Sequence, residues 1–229
     1  MPNSNKELFK AVVTKAGFKQ EVYANTLKAF SQFKNESLRL TADWHKQIKQ
    51  TQWPIPFEYN DRGTFEFELK FGSDVLVFFM HTNVFEFSRD HEVMKTSYIK
   101  EDKKRSYCGI IHIFNFLADS FKYNRNSDIG YLIGRIFVNC ESHYFIEGKR
   151  EIGLLYNNFS TSKLDTRAIT SIIQSSIQYT LNFDLLTPPY DNMKEVTVQE
   201  MQTTVDNYRI RTGKRLGFRF QADSCLRNE

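Results

Sequence analysis

The sequence predicts an α+β protein: an antiparallel β-sheet of about six to eight strands in two meander blocks, each followed by a helix, with an N-terminal helical pair packed on the sheet. Three observations carry this. Phe65, Phe67, Leu69 and Phe71 alternate with Glu66, Glu68 and Lys70, which places rings on one face of a strand and charges on the other. Apolar residues elsewhere recur three or four apart over long stretches, the period of a helix with one buried face. Runs of consecutive strand patterns are separated by single helical patterns, an order that suits an antiparallel sheet rather than a parallel one.

From the N-terminus, Ser4-x-x-Glu7 is a capping-box pattern followed by Leu8, Val12, Val13 and Ala16, with Gly17 as a stop. A second helix is expected over 19–49, with Leu27, Phe30, Phe33, Ser37, Leu40 and Trp44 forming one stripe, ended by Trp53-Pro54-Ile55-Pro56. Strands are expected at 57–59 and 64–71 around the turn Asn60-Asp61-Arg62-Gly63. Gly72-Ser73 fits a two-residue hairpin loop into 75–80. That strand is apolar at both parities and should be central. His81-Thr82-Asn83 then turns the chain into 84–88. Residues 89–106 read as a charged connector without periodicity, long enough to suggest a function.

A helix is expected over 107–123, presenting Ile110, Ile113, Phe114, Leu117 and Phe121, and broken by Asn124-Arg125-Asn126-Ser127. Three strands follow at 129–138, 143–147 and 151–156. Ser162-x-x-Asp165 then caps a helix carrying Ile169, Ile172, Ile173, Ile177, Leu181 and Leu185, stopped by Thr187-Pro188-Pro189. Thr197-x-x-Glu200 opens a last helix, and the alternation of Leu216, Phe218 and Phe220 suits an edge strand. The expected organisation is an N-terminal helical segment (1–54) belonging to the same domain as a central α+β sheet (55–190), then a C-terminal helix and basic tail (191–229). The best boundary falls at 184–194.

The chain has 229 residues, of which 21 are Phe, so a core of large rings forms despite a mean hydropathy of −0.49. No apolar run approaches the roughly 20 residues of a membrane span, and the N-terminus carries no signal-peptide core. Cys108, Cys140 and Cys225 are odd in number and widely spaced, which suggests neither a disulfide framework nor a zinc site. A cytoplasmic protein without a cofactor and without a membrane partner is expected. Residues 1–54 carry nine Lys or Arg against four Asp or Glu. The tail holds Arg209, Arg211, Lys214, Arg215 and Arg219 with no acid from 207 to 219, interleaved with Tyr208, Phe218 and Phe220. That pattern suits phosphate and base contacts, or an edge strand with a wet basic face.

Strong catalytic motifs are absent: no Gly-x-Gly-x-x-Gly, no phosphate loop, no H-E-x-x-H, no Gly-x-Ser-x-Gly. Asp90-His91 in the connector pairs an imidazole with a carboxylate. Asp128 opens a predicted hairpin that Glu147-Gly148-Lys149 closes, so folding would bring two carboxylates and a lysine together. The spacing resembles the Asp…Glu-x-Lys signature of restriction-endonuclease-like nucleases. The resemblance implies Mg²⁺ held by Asp128 and Glu147, Lys149 serving catalysis, and a nucleic-acid substrate. The overall order of helix and meander is similar to small secretion-chaperone-like folds, a likeness of architecture alone.

Non-catalytic binding of a protein partner is the leading expectation. It would act through the long N-terminal helix (Phe30, Phe33, Leu40, Trp44) and the 89–106 connector, with self-association through the same helix. A metal-dependent nuclease, or nucleic-acid binding without catalysis, stands as the alternative.

Overall fold

The computed structural model describes residues 4–53, 55–148, 158–184, 187, 189–192 and 194–207. The protein is α+β, built on one seven-stranded antiparallel sheet. The helices are α1 (Ser4–Ile48), α2 (Ser97–Glu101), α3 (Ala118–Lys122), α4 (Thr166–Leu181) and α5 (Val198–Asn207). The strands are β1 (Phe57–Asp61), β2 (Glu66–Phe71), β3 (Asp74–Met80), β4 (Phe85–Glu86), β5 (Tyr107–Leu117), β6 (Tyr131–Asn139) and β7 (Tyr144–Gly148). Their order across the sheet is β1-β2-β3-β5-β6-β7, with β4 also paired to β5.

The first hairpin follows the sequence. Phe71 faces Asp74, leaving Gly72 and Ser73 as a two-residue loop in which only Gly72 is left-handed, at φ 56°. β4 is less a new strand than a continuation of β3. Met80 lies opposite Ile111 and Phe85 opposite Cys108, so residues 81–84 bulge over residues 109–110 while the chain runs on along the same edge of β5.

Three expected elements differ. The N-terminal pair is a single 45-residue helix that passes through Gly17 unbroken. A lone interior glycine costs a helix only about 1 kcal/mol, and no proline follows to enforce a break. The helix expected over 107–123 is the eleven-residue strand β5 followed by the short α3. Its segment is apolar at both parities, so Ile110, Ile113, Phe114 and Leu117 fit a helical stripe as well as a strand; pairing with β3 and β6 decides the outcome. The two meander blocks therefore merge into one continuous sheet. The cap of α4 is Asp165, whose carboxylate accepts from Ala168 N at 2.8 Å, rather than Ser162. The strand expected at 151–156 lies outside the described residues.

The core fills the space between the sheet and α1 with α4. Phe67, Leu69 and Phe71 of β2, Leu76, Phe78 and Met80 of β3, and Ile111 and Ile113 of β5 meet Phe30 and Phe33 of α1 and Ile169, Ile172, Ile173 and Ile177 of α4. On the opposite face, one end of the sheet is covered by the 89–106 segment. It folds as two 3₁₀ turns around α2 and buries Val93, Tyr98 and Ile99 against Cys108, Ile110, Phe137 and Phe159.

Candidate partner-binding surface

A 45-residue helix is about 67 Å long, while the eleven residues of β5 span about 36 Å. α1 therefore overhangs the sheet. Its first buried residue is Val22, so some five turns precede the core. The capping-box residues Ser4 and Glu7 lie at the start of this overhang. Its apolar residues stand in water: Leu8 is 61% exposed, Phe9 70%, Val12 56% and Val13 52%. A helical projection puts Phe9, Val12, Val13 and Ala16 on one stripe, rotated away from the buried face that Val22, Thr26, Phe30 and Phe33 continue. Lys6 and Lys10 flank it on one side, Lys15 and Lys19 on the other, and Glu7 lies on the back. Beneath the root of the overhang, Phe18 meets Tyr107 edge-on with ring centres 5.7 Å apart, and the Lys104 ammonium lies 5.8 Å from the Phe18 ring centre. Glu7, Ala11 and Thr14 line the open groove that continues outward from this contact.

The residues expected to meet a partner further along α1 are packed on the sheet, with only Trp44 left half-buried. Phe30 and Phe33 are fully buried, Leu40 is buried, and Trp44 packs on Phe57 with ring centres 4.3 Å apart. They hold α1 to its own sheet. The connector is likewise committed to the fold. Tyr98 donates to Glu141 at 2.7 Å and accepts from Asn139 at 2.8 Å, and Arg105 donates to Glu141 at 3.0 Å. Burial and the adjacent Glu141 carboxylate push the Tyr98 phenol up, so it stays protonated; the hydrogen bond from Tyr98 in turn holds Glu141 below its ordinary value. Only the end of the connector, at Lys104, borders the overhang.

The carboxylate pair does not assemble. In β6–β7 the register sets Glu147 opposite Arg135 and Gly148 opposite Gly134. Asp128 precedes the far end of β6, separated from the Arg135 position by about 13 Å of strand between Tyr131 and Arg135. There Asp128 pairs with Arg125 at 2.8 Å and accepts from Ser120 at 2.6 Å. Glu147 is ion-paired to Arg135 and bonded by His91 Nε2 at 2.8 Å. His91 Nδ1 accepts from Val93 N at 3.2 Å, so both ring nitrogens are used and the imidazole offers no free lone pair. Burial pushes the Glu147 carboxyl up, but His91 and Arg135 outweigh it and hold it below the usual carboxylate range. Among the described residues no group of three His, Cys, Asp or Glu is placed to hold a metal. Lys149 and the basic tail residues Arg209, Arg211, Lys214, Arg215 and Arg219 lie outside the described residues.

One file crosses the open face of the sheet: Phe79, His112, Arg135 and Glu147 are directly opposed on β3, β5, β6 and β7. His112 Nδ1 is buried without a hydrogen-bond partner among the described residues. Burial, then Arg135 and His81, push its pKa below the ordinary 6.5. The unfolded chain therefore takes up this proton at a higher pH than the folded one, and stability falls as pH drops through about 6.5 toward the lower folded value. In His112→Phe, the loss of urea midpoint between about pH 7.5 and 5.5 is smaller than in the wild type. Equal losses in the two proteins would remove His112 from the acid response.

Comparison of the chain with models of known protein families, with curated proteins and with solved structures finds no match. Among the described residues no helix is long and apolar enough to cross a membrane.

Proposed function

We propose that this chain is a non-catalytic binding protein that engages a protein partner through the overhang of α1. One observation carries the reading: four large apolar side chains stand exposed on a helix that continues well past the core it serves. Scattered exposed apolar residues are ordinary on protein surfaces, but a contiguous stripe on a projecting helix is the form that helix-in-groove recognition uses. The lysines along both flanks would meet acidic groups at the rim of a partner's groove. The polar clusters support the same reading, because His91, Glu147 and Asp128 are each engaged in bonds that hold the fold together. A cytoplasmic location goes with it, supported by Cys108 and Cys140 as free thiols.

The test is Val12→Asp. Val12 touches no part of the core, so stability should change by no more than about 0.5 kcal/mol. Partner binding should weaken by roughly 30-fold, the ~2 kcal/mol expected of a central apolar anchor. Capture of proteins from the native host by immobilised wild type and variant, read beside their melting curves, separates the two effects. Identical capture profiles would end the proposal.

A further inference from the structure

We infer that the occupant of the α1 overhang is α5 of a second copy of this chain, exchanged reciprocally in a twofold dimer. The inference rests on the reading of the overhang as a binding surface. α5 is short, ten residues, but firmly started: Thr197 and Glu200 form a reciprocal capping box, with Glu200 N donating to Thr197 Oγ1 at 3.1 Å and Thr197 N donating to Glu200 Oε2 at 2.9 Å. Its described apolar residues are exposed too, Val198 to 76% and Met201 to 50%, at helical spacing. Among the described residues, the chain thus presents two exposed apolar helix faces at once, and these are not closed on each other.

Charge distinguishes the ways in which they can be covered. Residues 4–20 carry four lysines against one glutamate, whereas residues 184–207 carry five acids against one lysine. Pairing two overhangs with each other would set lysine flank against lysine flank, a repulsive arrangement. Pairing the overhang with α5 sets its lysines against Asp191 and Glu195 while Leu8, Phe9, Val12 and Val13 cover Val198 and Met201. A twofold arrangement uses this contact twice. That brings two short helix pairs toward the roughly 1,200–2,000 Å² that a specific interface buries.

The experiment uses the full chain. Light and ¹⁵N-labelled copies carrying benzoylphenylalanine in place of Val12 are mixed, irradiated and digested. Adducts joining residue 12 to the 195–207 region, with mixed light–heavy isotope signatures, are expected. Sedimentation should give a mass of two chains, falling to one in Lys10→Glu/Lys15→Glu and returning to two when Asp191→Lys and Glu195→Lys are added. All four positions are exposed, so folding is not at stake. Adducts confined to single chains, adducts between two overhangs, or a wild-type mass of one chain each overturn the exchange. A one-chain mass with residue 12 still cross-linking a protein from host extract would sink the exchange and leave the binding reading standing. No adduct in either setting would sink both, and so would an overhang that binds only anionic lipid vesicles.

Discussion

Phe33→Ala should remove about 3–5 kcal/mol of stability, the cost of deleting a buried ring whose surroundings relax only in part. The whole fold holds about 5–15 kcal/mol, so this one change takes a large share of it. Phe33 is fully buried on α1, and its ring centre lies 5.9 Å from that of Phe78 on β3. Phe78 stacks on Phe67 of β2 at 4.6 Å and 6°, and Phe67 reaches back to Phe30 of α1 at 5.4 Å. These four rings join the helix to two adjacent strands, and aromatic pairs at such separations add about 0.5–1.5 kcal/mol each beyond the area they bury. Urea unfolding followed by circular dichroism measures the loss. Leu38→Ala, at an exposed position on the same helix, is the control and should change little. A loss under about 1 kcal/mol for Phe33→Ala would mean that α1 does not pack on the sheet as described.

The contrast between these rings and the overhang explains what could and could not be read from the sequence. Phe65 to Phe71 alternate because one face of β2 lies in the core while the other carries Glu66, Glu68 and Lys70, with Glu68 buried against Arg62, so the pattern and the fold agree. β5 has apolar residues at both parities because its inner face meets α1 while Cys108 and Ile110 on its outer face lie beneath the 89–106 segment. Such a run satisfies the helical and the strand template together, and only the partners on either side decide between them. The density of β-branched residues at Ile110, Ile111 and Ile113 was the available signal for a strand.

The candidate site shows a different limit. Leu8, Val12 and Val13 were legible as an amphipathic stripe, but periodicity reports that a helix has an apolar face and not what covers it. Phe30 and Phe33 bear the same spacing and are buried in their own chain. The difference is the length of the sheet beneath the helix, a tertiary quantity. The convergence of Asp128 with Glu147 failed for a related reason. Register places Glu147 at Arg135: β6 and β7 pair without a shift from Val138 opposite Tyr144 to Gly134 opposite Gly148, so the partner of Glu147 lies well along β6 from Asp128.

The seat of α1 on the sheet makes its own demand at Gly109. A methyl group added there would lie 2.7 Å from both Cβ and Cγ2 of Thr26, well inside contact distance, with Thr26 Oγ1 closer still. Thr26 cannot swing aside freely, because it is fully buried and its hydroxyl donates to Val22 O at 2.8 Å. Gly109→Ala therefore has to lift the helix from β5 at the point where burial of α1 begins, an overpacking cost of about 1–3 kcal/mol. Thr26→Gly in the same chain removes the clashing atoms, though glycine within a helix costs about 1 kcal/mol of its own. The double variant should consequently lose less than the two single variants added together, since residues in contact do not act independently. A double-mutant cycle by urea unfolding gives the coupling. Strict additivity would show that α1 and β5 do not touch at this crossing, and the overhang would then have to begin further along the helix than Val22.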